Sequence, residues 1–418
     1  MDFKDYSLKK TARYISDFLK WIFLACITGA VGGLIGSAFH LSIEYATEFR
    51  SAHPQVLWLL PIGGVVIAIL YKICKMDKNG GTDFVISSVR EKEKVPLLMA
   101  PLIFVSTVIT HLCGGSAGRE GAALQLGGSI GSQIGSLFKL GEKDMHLIIM
   151  CGMSGVFSAL FGTPLTATVF AMEVVSVGVA YYSSLVPSLT SSLVAFAVSR
   201  LFQIEPVAFK LSQVAQLNFK NIFRTVILAA ICALVSIGFC IIMKLCHTYI
   251  PKLIKSSLLR AAVGGSVIIL LTLLVGNYDY NGAGMNIIEN AINGQAVPYA
   301  FILKIVFTAV TISCGYKGGE IVPTFFIGAT LGCTVGPILG LDSGFSAALG
   351  LIALFCSAVN CPLASMILSV EMFGSEGFIF FGVVCAVSYV LSGYYSLYST
   401  QKIMYSKVKA EYININAW

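Results

Sequence analysis

The sequence predicts an all-α membrane protein built from two similar halves of broken transmembrane helices, and three observations carry that reading. Of 418 residues, 56% are hydrophobic and 12% charged, with a mean hydropathy of +0.83; a soluble domain carries about a quarter charged residues. Apolar runs cover nearly the whole chain. At about 20 residues per span this length allows on the order of ten to fourteen membrane segments and leaves no room for a large soluble domain. Finally, Gly- and Pro-rich breaks recur in the same order in both halves.

Residues 1–20 are basic (Lys4, Lys9, Lys10, Arg13 and Lys20) and lack the apolar core and cleavage site of a signal peptide. They are expected in the cytoplasm, as is the basic region 72–78. Residues 21–43 form a first span, in which Gly29, Gly32, Gly33 and Gly36 favour close helix packing in lipid. A second span covers 56–73 behind Pro54. Gly80 and Gly81 break the chain, and Thr82 and Asp83 have the chemistry of helix caps. A short amphipathic helix follows, then the charged cluster 90–94, predicted as a solvated loop. Pro96 opens the run that leads to Gly-Gly-Ser-Ala-Gly-Arg-Glu-Gly, Gly114 to Gly121.

Beyond it lie a Gly-rich helix over 124–140, an apolar run over 145–161, and the break at Gly162-Thr-Pro-Leu165. The run resumes over 166–177 with Glu173 inside it, and a span over 181–202 closes the first repeat, 21–202. A connector over 203–220 leads to a second repeat, 221–401, and a short tail, 402–418. The repeat rests on three matches at nearly one offset. Pro164-Leu…Glu173 pairs with Pro362-Leu…Glu371, Gly118-Arg-Glu120 with Gly318-Gly-Glu320, and Gly81 loosely with Gly284. Broken helices at corresponding positions of two repeats mark transporters and point to a binding site at the repeat interface.

The net charge of +7 is assigned to cytoplasmic loops rather than to nucleic-acid binding. The twelve cysteines lie mostly inside apolar runs without C-x-x-C spacing, so they read as small buried hydrophobes, not disulfides or metal ligands. No metal or cofactor is implied.

Charge between membrane-length apolar runs marks a functional site, which singles out Arg119 and Glu120. The glycines before them suit an unwound turn, and the residues after them a helix start. Free N–H groups at such a start attract anions, each terminus supplying about half an elementary charge. Turns at Gly81–Thr82, Gly118–Gly121 and Gly318–Val322 are candidates to converge on one anion, with the hydroxyls of Thr82 and Tyr398 adding hydrogen bonds. Glu120 is then a tethered competitor: ionised, it fills the site; protonated, it leaves and carries a proton. The competing readings are an Arg119–Glu120 pair, an N-cap at Thr82, an interfacial aromatic at Tyr398, and backbone-bonding roles for Glu173 and Glu371. A remote alternative is an intramembrane serine protease, built on Ser116 or Ser154 with His247 as base.

Gly-Arg-Glu-Gly, its partner Gly-Gly-x-x-x-Pro (Gly318 to Pro323) and Pro-Leu…Glu in both halves resemble the CLC anion channels and transporters. The resemblance covers about residues 21–401. It implies an inverted-repeat fold and a homodimer with one anion pathway per subunit, without the nucleotide-binding tail of many eukaryotic members. It implies Glu120 as the gating glutamate, Tyr398 as an anion-coordinating tyrosine, and anion-binding backbone at Gly81, Thr82, Gly118, Arg119, Gly121, Ile321 and Val322. Glu173 is followed by Val174, so the second glutamate of many chloride/proton exchangers is missing. Gly-Gly-Glu, with Glu320, resembles instead the bacterial fluoride/proton antiporter branch, where this glutamate belongs to the proton pathway. Thr82 stands where that branch carries methionine, and Val322 where it carries threonine. The expected activity is anion/proton antiport in a bacterial cell membrane, with fluoride leaving as protons enter. A chloride/proton exchanger and a passive chloride channel are the alternatives.

Overall fold

The computed structural model describes residues 3–77, 80–91 and 93–418, with side chains from Lys10 onward. Met1, Asp2, Lys78, Asn79 and Lys92, and the side chains of Lys4 and Lys9, lie outside the described residues.

The helices fall into two matched series. The first half holds α1 (Phe3–Ala52), α2 (Leu60–Ile73), α3 (Thr82–Glu91), α4 (Met99–Cys113), α5 (Glu120–Leu137), α6 (Glu142–Phe161), α7 (Pro164–Glu173) and α8 (Leu185–Leu201). In the same order the second half holds α9 (Phe219–Leu253), α10 (Ser257–Val275), α11 (Met285–Ile292), α12 (Ala300–Ser313), α13 (Ile321–Ile338), α14 (Ser343–Val359), α15 (Pro362–Phe373) and α16 (Phe378–Leu391). Among the described residues seven segments are long and apolar enough to cross a membrane, and others are shorter apolar helices. The chain is an inverted repeat of long and broken membrane helices.

The packing repeats as well. α5 lies against α6 and α13 against α14, each pair closed by facing glycines. A Cβ on Gly127 would stand 2.2 Å from the Gly152 carbonyl, and one on Gly328 2.3 Å from that of Gly350. Small residues bring membrane helices together where no hydrophobic force does so. The Pro-Leu breaks are joined by their glutamates. Glu173, ending α7, accepts from Leu363 N (3.2 Å) and Ala364 N (2.9 Å) at the start of α15. Glu371, near the end of α15, accepts from Leu165 N and Thr166 N at the start of α7, both at 2.9 Å. Each carboxylate thus satisfies the free N–H groups of the other repeat's helix, the backbone-bonding role the sequence suggested.

Several expectations change. From Phe3 the basic segment continues into the first span as one helix of 50 residues, since no Gly or Pro interrupts it before Gly29. Thr82 and Asp83 do not cap α3. Thr82 Oγ1 donates to Gly121 O, and the Asp83 carboxylate accepts from Ser399 Oγ, Thr400 N and Thr400 Oγ1. Arg90 is no solvated loop residue: it lies in α3 and donates to the carbonyls of Val175 (2.7 Å) and Thr400 (2.5 Å). The short tail beyond 401 forms two strands. β2 (Lys402–Tyr405) pairs parallel with β1 (Ser176–Val177) and antiparallel with β3 (Tyr412–Asn416). The protein is therefore all-α with one small sheet, which ties the chain end to the first repeat. All twelve cysteines are free thiols.

Candidate functional site

The two Gly-rich loops meet head to head. Gly118 N donates to Gly319 O (2.7 Å) and Gly319 N to Gly118 O (2.8 Å), an isolated antiparallel bridge between the repeats. This contact brings the first turns of α5 and α13 to one point, and Glu120 occupies it. The residue is 0% exposed. Its Oε2 accepts from Arg119 N at 3.0 Å and from Val322 N at 3.2 Å, one donor from each repeat. Oε1 is buried and has no hydrogen-bond partner among the described residues. Gly118 permits the folded-back side chain, since a Cβ there would lie 2.3 Å from Oε2.

Among the described residues Arg119 makes no ion pair with Glu120. Its guanidinium reaches the Leu160 carbonyl (3.5 Å) and lies 6.0 Å from the Phe161 ring. Two cavities approach the carboxylate. The first, about 710 Å³, is lined by the C-terminal part of α1 together with Arg119 and Val322. The second, about 530 Å³, is lined by the C-terminal part of α9 together with Gly81, Thr82, Gly318, Glu320 and Tyr398. Glu120 itself lines neither. Membrane-embedded carboxylates facing water-filled cavities mark ion and proton pathways.

Tyr398 is 2% exposed, and its hydroxyl has no partner among the described residues. Ser396 Oγ fixes its backbone N–H at 3.1 Å. Thr82 differs: its one proton goes to Gly121 O (3.1 Å), and its oxygen accepts from Gln125 Nε2 (3.0 Å). In this arrangement Tyr398 has a donor to offer an anion and Thr82 has none. Gly81 lies at φ +60° before α3, a left-handed turn natural to glycine. Gly121 lets α5 approach the second loop, a Cβ there lying 3.1 Å from both Gly319 Cα and Thr82 Oγ1. Ile321 is buried at the first turn of α13. Sequence reasoning missed Gln125, the polar residue that orients Thr82, although it is one of two glutamines in a helix otherwise built, beyond Glu120, of Gly, Ala, Ser, Leu and Ile.

The protease constellation is not assembled. Ser154 Oγ donates to the carbonyls of Cys151 and Ser188, and Ser116 Oγ pairs with Thr308 Oγ1. His247 lines the second cavity, where neither serine does.

A carboxylate held by helix starts of both repeats, with a cavity on each side, defines an inverted-repeat membrane transport protein. The chain belongs to the CLC family: the family described as "Voltage gated chloride channel" matches residues 62–393. A "Chloride/fluoride channel protein" of Pseudomonas syringae pv. tomato is 32% identical over 93% of this chain and 87% of its own. The crystal structure of a CLC-type fluoride/proton antiporter superposes with a TM-score of 0.88 at 32% identity, covering 92% of this chain and 98% of that one. A slow cyanobacterial Cl⁻/H⁺ antiporter shares the fold at 20% identity, with a TM-score of 0.77 over 89% of this chain and 94% of its own.

Proposed function

We propose that the protein is an anion/proton antiporter that exports fluoride in exchange for protons. The observation that carries this reading is the double hold on Glu120, whose Oε2 takes one N–H from each repeat. Those donors suit a small hard anion as well as a carboxylate, so only one can be bound at a time. Ionised Glu120 closes the site. Once protonated, with Oε1 without a partner among the described residues to hold the proton, it gives the donors up. An anion replaces it, held also by the Tyr398 hydroxyl and by backbone N–H groups at Gly121 and Ile321, whereas the Gly118 N–H stays committed to Gly319 O.

The basic amino end of α1 is placed in the cytoplasm. Its far end and the first cavity then face outward, and the second cavity, with Glu320, faces inward. Glu120 exchanges protons with the outer side, while Glu320 passes them between the site and the inner cavity. Fluoride as cargo is supported by Gly-Gly-Glu at residues 318–320 and by the two relatives whose names include fluoride. The setting is a bacterial cell membrane and the assembly a homodimer with one pathway per subunit.

The test is anion efflux from liposomes, fluoride against chloride, with proton movement recorded. A fluoride gradient that drives protons uphill supports the reading. Equal proton coupling to chloride makes the protein a chloride exchanger, and anion flux without protons makes it a channel.

A further inference from the structure

The two cavities are related by the repeat, yet their charges are not. Each is walled by the last turns of the long first helix of its half, and the same helix face is used. Glu44, Thr47 and Glu48 of α1 correspond in register to Lys244, His247 and Thr248 of α9, each trio lining its own cavity. At the first of these positions an acid in one half stands where a base stands in the other.

The other ionised groups balance, two acids against two bases on each side, so the sign of each cavity is set at this position. The α1 cavity holds Glu44, Glu48 and Asp279 against Arg50 and Arg119, and the α9 cavity holds Lys244, Arg260 and Lys317 against Asp83 and Glu320. Partners sharpen the difference. Lys244 Nζ lies 4.2 Å from the Trp418 ring and Lys317 Nζ 4.4 Å from that of Tyr71. An aromatic face positions an ammonium without cancelling its charge as a carboxylate does. Among the described residues neither lysine has an ion pair.

We propose that the cavities are oppositely charged antechambers, the α9 side gathering anions past Lys244 and the α1 side shedding them past Glu44. This rests on the reading of the chain as an anion transporter. Clefts lined by one sign of charge raise the local concentration of the opposite ion. The bias acts on capture and release from each side. It leaves the exchange equilibrium, set by the gradients and the stoichiometry, untouched.

The test uses oriented membrane vesicles, right-side-out and inside-out, with initial fluoride uptake measured against fluoride concentration at low and high ionic strength. The wild type is expected to half-saturate at lower fluoride from the α9 side, with the advantage fading as salt screens it. Lys244→Gln is expected to raise half-saturation about two- to fivefold from that side alone, and Lys244→Arg to restore it. Glu44→Gln is expected to lower it from the α1 side. Protons moved per fluoride should stay unchanged in all of them. An unchanged half-saturation in Lys244→Gln, or an equal shift from both sides, overturns the proposal. A wild type that carries fluoride without protons refutes the antiport reading yet leaves the sided shifts measurable.

Discussion

The loop before α5 and the loop before α13 are built alike and joined backbone to backbone at Gly118 and Gly319, yet only the first puts its carboxylate at the centre. Glu120 folds back beneath Gly118 and takes donors from both loops. The bridge pairs Gly118 with Gly319, one residue off the register that the motifs suggested, so Ile321 opens α13 where Glu120 opens α5, and Glu320 precedes α13 where Arg119 precedes α5. Glu320 instead opens to the α9 cavity. The two loops therefore differ in sequence at the position that faces the bridge, a carboxylate in one half and an isoleucine in the other, which leaves one carboxylate between them.

That asymmetry can be broken residue by residue. The largest effect is expected of Gly118→Ala, whose methyl collides with Glu120 Oε2. Overpacking of this kind costs about 1–3 kcal/mol, and turnover should fall about tenfold or more; normal flux in liposomes would mean that Glu120 need not sit in this pose. Glu320→Gln should next uncouple protons from the anion while fluoride still flows, and unchanged antiport in that variant makes Glu320 a structural residue. Glu371→Gln and Glu173→Gln each remove one of the paired acceptors at a helix start. Each should cost about 1–3 kcal/mol of stability, read as a lower melting midpoint with stoichiometry intact. Tyr398→Phe removes one free hydroxyl and should weaken anion binding by about tenfold at most; an unchanged affinity in calorimetry would take Tyr398 out of the site.

Much of this was legible because membrane chemistry leaves few polar residues to choose among. Arg119, Glu120 and Glu320 stood out against apolar runs, and repeated Pro-Leu and Gly-x-Glu patterns exposed the two halves, the second of them one residue off the register that the Gly118–Gly319 bridge sets. Long-range ties were not legible. Nothing near Asp83 or Arg90 announces that both are bound to Thr400, and their local sequence reads as a cap and a loop. The hydroxyl of Thr82 could be seen as a donor, but not that Gly121 takes its proton. The Glu44–Lys244 reversal was within reach, since it needed only the repeat register applied to helix walls instead of motifs.

On the proposed mechanism one buried carboxylate and one anion take turns on the same N–H groups. Glu120→Gln in liposomes, with fluoride and protons followed together, tests it most directly. The account predicts that fluoride moves and protons do not, at any gradient imposed. Protons still driven by fluoride in that variant would contradict it.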